Sequence, residues 1–207
     1  MDLNTWITLL LATIAISISP GAGAVVSMNY GINYGLKKSY AAIFGLQAGL
    51  LIQTFIVVIG LGALIAKSVL IFNIIKWIGV AYLVYMGLSK IFEKVELVEE
   101  GNKIKSYSAK KAFITATLIN LTNPKATVFL VAFIPQFLNP NESIWYQLLI
   151  ISLTLVVIDV IVMTGYSSMA SKLKFLIKDS KTMKIQNRIT GSFLILAALF
   201  MSTTKKA

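Results

Sequence analysis

The sequence predicts an all-α integral membrane protein: six transmembrane helices arranged as two inverted three-helix repeats, with helices 1 and 4 broken at Pro. Three observations predict this. Of 207 residues, 57% are hydrophobic and 13% charged, where soluble domains carry roughly 25% charged residues, and the apolar residues gather in runs of membrane-spanning length. The basic residues sit between those runs and favour alternate loops. Ser19-Pro20-Gly21-Ala22 in the first run and Asn123-Pro124-Lys125-Ala126 in the fourth put a helix break at a corresponding place in each half.

A spanning helix needs about 20 mostly apolar residues, and the runs give spans at about residues 5–26, 41–66, 76–92, 112–138, 144–170 and 189–202. Residues 69–75 are also apolar and read as an interfacial lead-in to the third span, with Lys76 snorkelling to a headgroup. Lys76-Trp77-Ile78-Gly79 opens the third span and Arg188-Ile189-Thr190-Gly191 echoes it at the sixth. Trp6, Trp77 and Trp145 fall at span ends, as interfacial anchors do. The first span is expected to be retained, because Met1-Asp2-Leu3-Asn4 lacks a positive n-region and Pro20 suits a cleavage site poorly. The whole chain, 1–207, reads as one transporter domain, with a first repeat over about 1–100 and a second over about 108–207.

Charge sets the orientation. Lys37 and Lys38 lie in the first loop; Lys90, Lys94, Lys103, Lys105, Lys110 and Lys111 in the third; Lys172, Lys174, Lys178, Lys181, Lys184 and Arg188 in the fifth. The opposite side has only Lys67, Lys76, Lys205 and Lys206. The positive-inside rule puts loops 27–40, 93–111 and 171–188 in the cytoplasm of a cytoplasmic (inner) membrane, with both termini outside.

Absences narrow the chemistry. With no Cys and no His, thiolate sites, His-ligated metals and Ser–His catalysis have no residues to build on, so the chain does not read as an enzyme and no cofactor is expected. The net charge of +11 lies between apolar runs rather than along one basic face, so nucleic acid is not an expected partner. No G-x-x-x-x-G-K-[ST] occurs, so ATP-driven transport by this chain alone is not expected.

The breaks carry the functional reading. Pro20 lacks an N–H, so the Ile16 carbonyl loses its helical partner, and Pro124 does the same to Asn120. Irregular backbone at membrane depth is tolerated where it is buried or lines a wet cavity. A simple kink repaired by Ser17, Ser19 and Thr122 hydroxyls is the plainer alternative. Lys125 and Asp159 are the charges that fall deep in their spans, where an unpaired ion costs about 3 kcal/mol or more. Either they meet substrate, with Lys125 drawing a carboxylate and Asp159 an ammonium or a coupling proton, or they pair and pin the fourth and fifth helices together. Gln47, Gln53, Thr54, Thr154, Thr164 and Tyr166 read chiefly as interhelical hydrogen-bonding groups.

Several motifs in register resemble the LysE/RhtB amino-acid exporters (LysE-type translocators): Ser19-Pro20-Gly21, Gly35-Leu36-Lys37-Lys38 with Gly45, residues 76–87, Asn123-Pro124-Lys125-Ala126 and Phe133-Ile134-Pro135-Gln136-Phe137. The family's first motif usually reads Pro-Gly-Pro, whereas here Ala22 replaces the second Pro and can donate its N–H. The resemblance implies secondary-active export of an amino acid or close derivative, driven by an ion gradient, by six helices that can form homo-oligomers. The expected partners are the amino acid, protons and the bilayer. The expected substrate site comprises Ser19, Pro20, Gly21, Asn123, Pro124, Lys125 and Asp159, and the competing reading is an exporter of another small solute or cation.

Overall fold

The computed structural model describes residues 1–65, 69–92, 106–139, 141–172 and 180–203. Lys67, Lys94, Lys103, Lys105, Lys174, Lys178, Lys205 and Lys206, which entered the orientation argument, lie outside the described residues. Among the described residues the chain is helical, with no strand.

Helix α1 (Leu3–Ile18) starts on Asp2, whose carboxylate accepts from the Thr5 amide (2.9 Å) and hydroxyl (2.6 Å). It stops at Ser19-Pro20, and α2 (Ala22–Tyr34) leaves at 55° to it. Gly35 then turns the chain with φ 78°, a positive value open to glycine, into α3 (Leu36–Ile65). Helix α4 spans Val69–Phe92. In the second half α5 (Ala109–Leu121), capped by the Ser108 hydroxyl, and α6 (Pro124–Phe133), prolonged by the 3₁₀ turn Ile134–Phe137, form a second bent pair at 53°. Helices α7 (Ile144–Lys172) and α8 (Ser180–Thr203) are the last of the described helices.

The halves interlock through glycines. Gly45 and Gly49 of α3 lie against the α5 backbone, so close that a Cβ on Gly49 would stand 2.8 Å from the Thr117 carbonyl oxygen. The Thr117 hydroxyl donates to the Gly45 carbonyl (2.9 Å) and the Asn120 amide to Leu46 O (2.6 Å). Gly31 of α2 packs on Ser167 of α7, and Gly87 of α4 on Gly191 of α8. One apolar core gathers around stacked Phe129, Phe133, Leu83, Ile151 and Leu194; a second lies around Ala24, Ile43, Leu46, Ala116 and Met163. Outward, α7 exposes Leu149, Leu153, Val157 and Ile161 at four-residue steps, a face suited to hydrocarbon.

Among the described residues two helices, Leu36–Gly60 and Ile144–Lys172, are long and apolar enough to cross a membrane, and each bent pair adds one more if it is a single span. Helices α4 and α8 stand where the third and sixth spans are expected. They differ from expectation in two ways. Residues 69–75 are the first turns of α4 rather than a separate lead-in, since nothing in that apolar run interrupts a helix. Helix α8 begins at Ser180, so Lys181, Lys184 and Arg188 lie on it rather than in a loop; likewise the first loop expected at 27–40 is helical on both sides of Gly35, and Lys37 and Lys38 lie in the first turn of α3. Lys76 does not snorkel outward: it is buried, its ammonium 3.4 Å from the Ser202 carbonyl at the C-terminal end of α8 and 5.2 Å from the Trp77 ring centre. A helix C-terminus stabilises a cation in that position.

Candidate functional site

The two bends meet. Between them lies a cavity of about 70 Å³, bordered by Ser19, Gly21, Gly23, Asn123, Lys125 and Asp159. One buried water needs about 10–15 Å³ on this measure, so there is room for several waters or a small solute. Five of the seven expected site residues therefore share one cavity. Pro20 and Pro124 do not line it; they make the breaks that open it.

The first break is completed from elsewhere in the molecule. Pro20 frees the Ile16 carbonyl, and the Lys125 ammonium donates to it at 3.0 Å and also to the Ser19 carbonyl. The Tyr166 hydroxyl of α7 donates to Ile18 O at 2.5 Å. Gly21, the N-cap of α2, supplies no side-chain cap, and Val25 N–H is the first to bond back, to Gly21 O. The N–H groups of Ala22, Gly23 and Ala24 are thus the free first-turn donors. Ala22 occupies the first helical position, where Pro is also tolerated; Ala at this position keeps the break and adds a donor. A Cβ on Gly21 would stand 3.2 Å from Lys125 Cδ, so the glycine leaves the space through which Lys125 crosses.

The second break is largely closed from its own sequence. The Asn120 carbonyl freed by Pro124 accepts from Asn123 N–H at 3.0 Å, and the Asn123 side chain caps α6 by accepting from Lys125 N–H at 3.1 Å. The Thr122 hydroxyl donates to Leu118 O at 3.0 Å. From α3, Gln53 donates to Leu121 O (3.1 Å) and to the Thr127 hydroxyl (2.8 Å).

Asp159 enters from α7. Gln47 of α3 donates to its carboxylate at 2.7 Å, and the Ser17 hydroxyl also hydrogen-bonds it. Among the described residues no ion pair joins Asp159 to Lys125, so a pair pinning the fourth and fifth helices is not what is seen. Each charge is held by neutral groups instead. Hydroxyl repair of the freed carbonyls is not what is seen: the Thr122 hydroxyl bonds Leu118 O and Ile119 O rather than Asn120 O, Ser17 bonds Asp159, and the Ser19 hydroxyl is buried without a partner. Gln47, Gln53 and Tyr166 fulfil the interhelical role expected of them, and their sequence signal is a polar side chain in an apolar run. Trp6 proves to be more than an anchor, its indole N–H donating to Thr154 Oγ1 at 3.1 Å.

The family profile described as LysE type translocator matches residues 14–205. The chain is 41% identical over 207 residues to an uncharacterized membrane protein of Vibrio cholerae, covering 99% of this chain and 100% of that protein. It is 37% identical to a homoserine/homoserine lactone efflux protein of Salmonella typhimurium, covering 100% of both. To a leucine efflux protein of Klebsiella pneumoniae it is 28% identical, covering 96% of this chain and 94% of that protein. No solved structure matches it. With a family match over residues 14–205, nearly its whole length, the chain belongs to the LysE type translocator family.

Proposed function

We propose that this chain is a secondary-active exporter of an amino acid or close derivative across the cytoplasmic membrane, coupled to proton influx and working by alternating access. The observation that carries the reading is the shared cavity. Two helix breaks, one base and one acid converge there, in a chain whose full-length relatives include homoserine and leucine efflux proteins. The uncapped first turn of α2 suits a substrate carboxylate, since helix N-termini favour anions. The carbonyls ending α1 and the Asp159 carboxylate suit an ammonium, and Asp159 is also the natural carrier of the coupling proton. In this reading α1–α2 and α5–α6 are single broken spans, α4 and α8 are spans three and six, and the two halves are inverted repeats that rock around the cavity. The termini lie outside. Ser19, Gly21, Asn123, Lys125 and Asp159 line the substrate site, and Pro20 and Pro124 shape it.

The test is efflux of labelled homoserine, leucine and a mixed amino-acid panel from proteoliposomes, with and without a proton gradient. Efflux of one or a few amino acids that collapses with the gradient supports the reading, and Asp159→Asn should abolish that coupling. No amino-acid efflux from folded protein overturns it, and the next panel would be cations and other small solutes.

A further inference from the structure

We propose that the carbonyl oxygens of Ile16 and Ser19 form a binding site for a primary ammonium, and that Lys125 is a tethered occupant of that site which an incoming substrate ammonium must displace. The inference deepens the export reading and rests on it for the identity of the displacing ligand.

Four features point to a cation site with a placeholder in it. The two carbonyls end α1, where the negative end of the helix dipole favours a positive charge. One of them is free because Pro20 cannot donate to it. Ser19 is 2% exposed and borders the same cavity, and its buried hydroxyl has no partner, which leaves a third acceptor on the residue that supplies one of the two carbonyls. An ammonium carries three donors, and Lys125 gives two of its bonds to these carbonyls. Lastly, Lys125 is oddly placed for its own helix. It is the second residue of α6, at a positive helix end that disfavours a cation, and its reach across Gly21 to α1 relieves that.

A free R–NH3⁺ can approach the three acceptors without the constraint of the tether. On displacement the Lys125 ammonium is released into the cavity that Asp159 borders, where a carboxylate is available to receive it. The bond between α6 and α1 joins the two halves of the chain. Substrate binding therefore undoes a latch between the halves, which ties occupancy of the site to their relative movement.

The experiment follows thermal unfolding of the purified, detergent-solubilised protein with methylammonium as probe and tetramethylammonium, which has no N–H, as control. Lys125→Ala should unfold at a lower temperature than the unaltered protein. Methylammonium should raise its midpoint saturably by roughly 2–4 °C, tetramethylammonium should not, and the unaltered protein should respond to methylammonium only weakly, because the tethered Lys125 competes for the site. Equal responses of the two proteins to methylammonium, or no saturable response of Lys125→Ala, would overturn the proposal. A second measurement on the unaltered protein needs no variant: reductive methylation of lysines, read by mass spectrometry, should increase at Lys125 when saturating homoserine is present. Unchanged labelling in protein that transports homoserine would also overturn it. Because the methylammonium arm reads no transport, its failure is distinct from a failure of amino-acid export.

Discussion

The two helix breaks begin from the same chemistry, a proline that strands a carbonyl, and are completed in opposite ways. At the second break the chain repairs itself: Asn123 returns its N–H to Asn120 and caps α6 with its side chain. At the first break no local group does this. The stranded carbonyls of Ile16, Ser19 and Ile18 are satisfied by Lys125 and Tyr166, more than a hundred residues away in sequence. One break is therefore closed mainly by its own residues, with Gln53 of α3 added at Leu121 O, and the other depends on distant side chains, which is the asymmetry expected if one half of a transporter moves against the other. Alternating access needs something that can be made and unmade, and a long-range ammonium–carbonyl contact is easier to unmake than a backbone turn.

The contrast is breakable by mutation. The largest effect is expected for Lys125→Ala, which leaves two carbonyls without a donor; at about 1–3 kcal/mol for each buried acceptor left unsatisfied, the variant should show the steepest fall in unfolding midpoint. Asn123→Ala removes only a cap and should cost about 1 kcal/mol, and hydrogen exchange should show loss of protection confined to the start of α6. Tyr166→Phe deletes the hydrogen bond to Ile18, worth about 1 kcal/mol. If the first break is the conditional one, this change should also speed exchange at the α1 end, which Asn123→Ala should not.

The smallest effect concerns how the two halves start. Helix α1 starts on a carboxylate and α5 on a hydroxyl. Hydrogen bonds from Thr5, side chain first and then backbone, hold the exposed Asp2 carboxyl below the ordinary carboxylate range. A lowered value in the folded chain means that the cap's contribution is present above the ordinary Asp range and is lost as pH falls through the lowered value. Acidification should therefore reduce protection of the Thr5 and Trp6 amides, Asp2→Asn should remove that dependence, and the α5 cap on Ser108 should not respond.

Much of this was legible in the sequence. Pro20 and Pro124 fixed where the helices break, the apolar runs fixed most helix limits, and Lys125 and Asp159 stood out as ions in apolar surroundings. Of the seven residues expected to form a site, five border one cavity and the two prolines stand at the breaks beside it. The family resemblance was readable from the same motifs. Less legible were the starts of α4 and α8, because an apolar lead-in and a polar first turn continue a helix as readily as they flank one.

What the sequence by itself determined are the properties that depend on covalent structure and near neighbours: a missing N–H, the freedom of Gly35 at φ 78°, and the apolar mass of each helix. Only the tertiary structure decided that Lys125 binds the carbonyls of α1 rather than Asp159, that Gln47 holds Asp159, and that Lys76 turns inward to the end of α8. The physical reason is that a hydrogen bond needs its partners within about 3 Å. Which groups come that close is set by how helices cross, and the crossings here are set by Gly31, Gly45, Gly49 and Gly87 meeting particular backbone atoms of other helices.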